Sequence, residues 1–211
     1  MAWRSSGATN RELIENLSRN NLIKSPAVKE AFLKVDRAHY APRSPYQDTP
    51  QSIGHRATIS APHMHAAAAE KLLPFATPSP ARPAPRVLDV GSGSGYLTHV
   101  LAELGAATVV GLEHIRELRD LGEANMQRSE EGQGLLDSGR VRFVVGDGRK
   151  GWDDGEGEGW DAIHVGAAAR EVHGELLGQL RAPGRMFIPV EEEGGMVGSM
   201  FGVWIRMGRG G

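Results

Sequence analysis

Two periodicities divide the chain. In the first third, apolar residues recur at helical spacing: Leu13, Ile14 and Leu17 share one face of 11–20, and Val28, Ala31, Phe32 and Val35 share one face of the next segment. Asn10 is placed to cap the first of these helices. Ser25-Pro26 reads as the start of the second, a capping hydroxyl followed by a proline suited to the first turn. Residues 40–59 mix Pro, Gln, Ser, Gly and His with no sustained period, which predicts ordered loop with at most a short strand. A third helix is expected from Pro62 through the alanines to Leu73. The stretch 76–86 holds four prolines and reads as linker or exposed loop.

Beyond it the pattern changes to short apolar runs rich in Val and Ile, at 86–90, 108–112, 141–145, 161–165 and 185–190. Each predicts a strand buried on both faces. Helical stretches at 96–104, 115–128 and 172–180 separate most of them. Alternating strand and helix imply a mostly parallel, doubly wound sheet with right-handed crossovers, so the expected class is α/β, Rossmann-like, behind an N-terminal helical cap. No internal repeat is visible. A single domain over 1–211 follows, divided as 1–75 (cap and active-site segment), 76–86 (Pro-rich loop), 87–190 (α/β core) and 191–211.

Composition narrows the function classes. Lys and Arg number 24 against 26 Asp and Glu, a formal net charge of -2, which argues against a nucleic-acid or membrane-surface partner. There is no cysteine, which removes disulfides, thiolate metal sites and cysteine nucleophiles together. Met1-Ala2-Trp3-Arg4-Ser5 lacks the apolar core of a signal peptide, and no apolar run is long enough to cross a bilayer. The expectation is a cytoplasmic enzyme.

The strongest local feature is Val87-Leu88-Asp89-Val90-Gly91-Ser92-Gly93-Ser94-Gly95, where the first core strand should turn into its helix. Glycines there let backbone pass close to a ligand. The spacing is G-x-G-x-G, whereas the dinucleotide fingerprint wants G-x-G-x-x-G. Asp89 leads into the loop, and Glu113 ends the second core strand about 20 residues on, where a carboxylate can bond ribose hydroxyls. Asp147, in Gly146-Asp147-Gly148 after the third, reads either as a plain turn or as a ligand contact at the same sheet edge. A hydrolase elbow fails because Gly93 occupies the nucleophile position, and no phosphate-cradling G-x-x-x-x-G-K-[ST] is present. His63 and His65 are two apart and do not share a helix face, so no metal is expected.

The loop, the second-strand acid and Asp147 together resemble the first motifs of class I methyltransferases. That resemblance implies S-adenosyl-L-methionine as cofactor, with Asp89, Gly91, Gly93, Ser94 and Gly95 backing its methionine part, Glu113 at the ribose, and Asp147 and Gly148 beside the adenine. Asp36-Arg37-Ala38-His39-Tyr40, Pro50-Gln51-Ser52-Ile53-Gly54, Ala57-Thr58-Ile59-Ser60-Ala61-Pro62-His63-Met64-His65 and His164-Val165-Gly166-Ala167-Ala168 resemble, in order, the protein-L-isoaspartate O-methyltransferase family. Membership implies methyl transfer to the free α-carboxylate of L-isoaspartyl residues in damaged proteins and peptides, by a cytoplasmic monomer. Ser60 matches the family's active-site serine, which contacts the acceptor carboxylate; the alternative is that it caps the helix starting near Pro62. Ala57, Thr58, Ile59, Ser60 and His65 are implied at the cofactor, and Ser60, His65, Val165, Gly166 and Ala167 along the acceptor cleft. Arg37, His39 and Tyr40 are read as packing the cap onto the sheet.

Other acidic stretches read more plainly. Residues 153–159 form a solvated loop, and Glu191 to Glu193 either do the same or bear on acceptor preference. The family continues past the fifth core strand with an antiparallel hairpin and cofactor contacts. Here Met200-Phe201-Gly202-Val203-Trp204-Ile205-Arg206 supplies one strand, so the C-terminal antiparallel strands are expected to be incomplete. A methyltransferase for another acceptor, and a catalytically silent cofactor-binding member of the family, are the competing readings.

Overall fold

The structure, a computed structural model, describes residues 5–156, 158–166, 173–190 and 200–206. In chain order these form α1 (Asn10–Arg19), α2 (Pro26–Lys34), a 3-10 turn (Arg37–His39), β1 (Gln51–Gly54), β2 (Ala57–Ile59), α3 (Pro62–Ala76), β3 (Arg86–Val90), α4 (Tyr96–Glu103), β4 (Thr108–Glu113), α5 (Arg116–Met126), α6 (Glu130–Asp137), β5 (Val141–Val145), β6 (Trp160–Val165), α7 (Gly174–Gln179), β7 (Leu180–Val190) and β8 (Met200–Arg206).

The cap helices form on the expected apolar faces, but their ends are held differently. Thr9, not Asn10, caps α1, its Oγ1 accepting from the Glu12 N–H at 3.2 Å. Asn10 is the first helical residue, and its amide donates to the Phe32 carbonyl at 3.0 Å, tying α1 to α2. Ser25 has the backbone of a cap, but its hydroxyl donates to Glu70 Oε2 at 2.6 Å rather than closing on its own helix. Glu70 Oε1 accepts from the Lys24 and Ser25 N–H groups, both at 2.7 Å, so a carboxylate on α3 secures the start of α2.

Six strands form the main sheet in the order β5-β4-β3-β6-β7-β8. The first five run parallel and β8 pairs antiparallel with β7. Alternate strand residues serve opposite faces. Val87, Val109, Val141 and Ala162 join a cluster with the cap helices and α4, while Leu88, Val110, Ile163 and Met186 join one with Trp160, Leu176 and Leu180. Two covered faces explain the Val- and Ile-rich runs of β3, β4 and β6, whereas edge strand β5 exposes Arg142 and Val145, so it is not buried on both faces as expected. The order reverses between β3 and β6, which puts a topological switch point, and so a crevice, at their carboxyl ends.

Several boundaries differ from expectation. Residues 51–59 form a two-stranded antiparallel hairpin, with His55 and Arg56 both at positive φ as a tight hairpin turn of matching twist requires. The helix expected over 115–128 ends at Met126, and a separate α6 follows, capped by Ser129, whose Oγ accepts from the Gly132 N–H at 3.1 Å. The third cap helix extends past Leu73 to Ala76. The helix expected over 172–180 is Gly174–Gln179 within the described residues. The loop at 153–159 is not simply solvated: the Asp154 side chain is nearly buried and pairs with Arg86 and, at 3.2 Å, with Arg142.

One buried contact makes stability depend on pH. The Tyr40 hydroxyl lies 2.6 Å from His99 Nδ1, and burial raises the phenol's pKa while lowering that of His99 to about 4. The unfolded chain binds a proton at this imidazole below about 6.5, whereas the folded chain resists until about 4. Stability is therefore fully present above the unfolded value and lost as pH falls through that window. In urea unfolding, wild type should lose about 2 kcal/mol more than His99→Gln between pH 7 and pH 5. Parallel pH curves for the two proteins would contradict this.

Candidate active site

The turn from β3 into α4 is built from backbone. Gly91, Gly93 and Gly95 take φ values of +76°, +52° and +83°. The N–H groups of Gly91 and Ser92 donate to the Leu112 carbonyl at 2.8 and 3.3 Å, folding the loop across the end of β4. A Cβ on Gly95 would lie 2.9 Å from the Gly122 carbonyl oxygen and 3.0 Å from Phe143 Cζ, so the loop rests directly on α5. Asn125 of α5 donates to the Ser94 carbonyl at 3.1 Å.

Carboxylates surround this loop in three different states. Glu113 is nearly buried; its Oε2 accepts from the Gly93 N–H at 3.1 Å and its Oε1 from the N–H groups of His114 and Ile115 at 2.8 and 3.2 Å. Asp89 is 1% exposed, with both oxygens taken by protein groups: His164 Nδ1 lies 2.7 Å from Oδ1 and the Thr98 hydroxyl donates to Oδ2 at 2.6 Å. Asp147 is partly exposed, and hydrogen bonds from the Arg149 side chain and N–H hold its pKa at about 2, so it is ionised at neutral pH. Gly148 crosses the end of β3 closely, since a Cβ there would sit 2.4 Å from Val90 Cγ1. Gly166 donates to the Val90 carbonyl at 2.7 Å, and Val165 before it is buried. The expected residues on β3, β4, β5 and β6 therefore gather at one sheet edge. Ala167 and Glu191 to Glu193 lie outside the described residues.

The second expected set approaches from the cap. Ile59 is buried, Thr58 is exposed opposite Ser52, and Ser60 is half-buried between β2 and α3. Ser60 does not cap α3; Ala61 holds that position without a side-chain bond. Asp48 takes over there, its Oδ1 accepting from the His63 N–H at 3.0 Å and lying 2.8 Å from His63 Nδ1. His65 is buried with Nδ1 3.3 Å from an Arg37 guanidinium nitrogen, so Nδ1 accepts and the proton sits on Nε2. Burial, reinforced by the Arg37 charge, pushes the His65 pKa well below the usual histidine value. Two contacts join the sets: Ile53 Cδ1 lies 3.4 Å from where a Gly93 Cβ would be, and the His65 ring is 5.2 Å from that of Tyr96, the first residue of α4.

Sequence reasoning missed Arg37, Asp48, Thr98, His164 and Tyr96. Arg37 was read as packing, yet it is fully buried and its guanidinium donates to the Ser60 carbonyl at 2.7 Å. The only sequence signal was its place in the Asp36 to Tyr40 motif. Among the described residues, no group of three or more His, Cys, Asp or Glu side chains is arranged to hold a metal ion.

Comparison with known proteins gives a consistent result. The family model for protein-L-isoaspartate(D-aspartate) O-methyltransferase matches residues 8–200. A protein-L-isoaspartate O-methyltransferase of Caenorhabditis elegans is 47% identical over 197 residues, covering 92% of this chain and 84% of that one. One from Triticum aestivum is 44% identical over 185 residues, covering 86% and 77%. Among solved structures, a Plasmodium falciparum chain described as a protein-L-isoaspartate O-methyltransferase, in complex with S-adenosyl-L-homocysteine, superposes with a TM-score of 0.79 at 35% identity, covering 89% and 86%.

Two glycines should respond to alanine with opposite sign. Gly95→Ala places a Cβ against α5 in a left-handed backbone and should cost about 2–5 kcal/mol of unfolding free energy. Gly134→Ala, in open space on α6, should stabilise by about 0.5–1 kcal/mol. Denaturant melts yielding similar shifts for both would refute this account of the loop.

Proposed function

The chain belongs to the protein-L-isoaspartate(D-aspartate) O-methyltransferase family, and from that premise we propose how its residues divide the work. It transfers the methyl group of S-adenosyl-L-methionine to the free α-carboxylate of L-isoaspartyl residues, which starts repair through a succinimide. The bound cofactor supplies an activated methyl group and its own leaving group. What the chain must add is position.

The sheet edge suits such a cofactor. Gly91, Gly93 and Gly95 offer backbone without side chains, as the methionine part needs, and Ser94 between them is nearly buried. Glu113 Oε1 already accepts two backbone N–H groups, whereas Oε2 accepts one, from Gly93, and retains capacity for a ribose hydroxyl. Ionised Asp147, with Gly148, stands where the adenine would lie. Asp89 acts differently from the others in this reading: with both oxygens engaged, it fixes His164 and Thr98 and so the loop, rather than touching the cofactor.

Ala57, Thr58, Ile59, Ser60 and His65 form the cofactor's other wall, and Ser60, His65, Val165, Gly166 and Ala167 line the acceptor cleft. The observation supporting this division is the junction of the two sets through Ile53 against Gly93 and His65 against Tyr96. The acceptor carboxylate, with a reference pKa near 4, is ionised at neutral pH, so no general base is needed. Ser60 orients it. Alignment of nucleophile and methyl carbon can supply about 7–11 kcal/mol of the barrier reduction.

We read the protein as a cytoplasmic monomer folded as one domain over 1–211, acting on isoaspartyl proteins and peptides rather than nucleic acid or membranes. The net charge of -2 and the apolar cluster shared by cap and sheet support this reading. Among the described residues no helix is long and apolar enough to cross a membrane.

Ser60→Ala tests the assignment. Turnover on an isoaspartyl peptide should fall at least about 10-fold, because a positioning hydroxyl is lost. The melting temperature should stay close to wild type, since Ser60 engages the fold through its carbonyl. Unchanged turnover would remove Ser60 from the mechanism.

A further inference from the structure

Packing alone does not explain Arg37. Its side chain is fully buried, yet among the described residues no carboxylate forms an ion pair with it. One guanidinium nitrogen donates to the Ser60 carbonyl at 2.7 Å and another lies 3.3 Å from His65 Nδ1. The guanidinium carbon sits 4.9 Å from the centre of the Tyr96 ring, and Nε has no hydrogen-bond partner. The nearest influence of opposite sign is Asp48, whose Oδ1 is occupied by His63.

A buried cation without a bonded counter-ion is costly, and a residue serving only to fill space there would be better apolar. The arginine fork reaches two neighbours at once, and both, Ser60 and His65, are residues assigned above to the acceptor cleft. That geometry fixes the Ser60 peptide plane and holds the His65 ring with its proton on Nε2. It also sets a buried cation, with Asp48 acting on it only through space, beside the Ser60 carbonyl where an acceptor must arrive as an anion.

We propose that Arg37 is a positioning residue for the acceptor carboxylate: it fixes Ser60 and His65 in one orientation, and its buried charge, with no directly paired carboxylate, favours an anionic acceptor over a neutral one. The proposal rests on the assignment of Ser60 and His65 to the acceptor cleft. The charged and titratable groups around it are Asp48, His63 and His65 on the cap side, Tyr96 on α4 and His164 on β6.

The test compares wild type with Arg37→Lys, which keeps the charge but loses the fork, and Arg37→Gln, which keeps a donor but loses the charge. Kinetics use an L-isoaspartyl peptide with S-adenosyl-L-methionine, and melting curves check folding. In Arg37→Gln the peptide KM should rise about tenfold or more, while the S-adenosyl-L-methionine KM stays within about threefold. Arg37→Lys should keep the peptide KM within about threefold of wild type and lower kcat instead. A purely structural role predicts that both variants lose both KM values together, or neither, and either result overturns the proposal. If Arg37→Gln fails to fold, the Lys variant decides: a folded Arg37→Lys with a tenfold higher peptide KM also overturns it. Loss of isoaspartyl methylation in wild type itself would instead strike the underlying functional reading.

Discussion

Between Val90 and Tyr96 the chain must turn from a buried strand into a buried helix while lying against α5, and at Gly95 no Cβ fits between the turn, Gly122 and Phe143. Glycines at 91, 93 and 95 supply the left-handed backbone that the turn takes at each of these positions. The close approach brings the loop amides onto Leu112 and Glu113, so the end of β4 is held by the same turn that ends β3. Asp89 reinforces this from below, joining β3 to β6 through His164 and to α4 through Thr98. A polar network inside an apolar sheet is tolerable because each carboxylate oxygen there has a donor.

The acceptor side depends on that turn in its own way. Tyr96 begins α4 immediately after the loop and packs against Phe32, Tyr40, His65 and the Arg37 guanidinium. Once the glycine turn fixes α4, the cap has one seat, and Ile53 of the hairpin comes down on Gly93. The Ser60 segment is then held from both ends, by Arg37 on its carbonyl and by Asp48 on the start of α3. Reaction by alignment needs this stiffness more than it needs acid-base chemistry, since acceptor and cofactor arrive already charged for their parts.

The sheet was legible because its central strands are buried on both faces, which leaves short runs rich in Val, Ile and Leu such as Thr108–Glu113. The glycine loop and Glu113 were legible because close backbone approach leaves a compositional mark. The hairpin at 51–59 was hidden, because His55 and Arg56 adopt a turn that sequences usually announce with Asn-Gly. Gly132 and Gly134 likewise concealed α6. Arg37 and Glu70 could not have been read from local pattern at all, for their partners lie 23 and 45 residues away and only the folded chain brings them together. Ser60 shows the middle case: its motif pointed to function, and the structure removed the competing role as a helix cap by giving that task to Asp48.

The most direct test of the account as a whole is methyl transfer from labelled S-adenosyl-L-methionine to two peptides that differ only in carrying an L-isoaspartyl or an L-aspartyl residue. The account predicts incorporation into the isoaspartyl peptide alone, as an ester that decays through a succinimide. Equal labelling of both peptides, or none of either by folded protein that binds S-adenosyl-L-homocysteine, would contradict it.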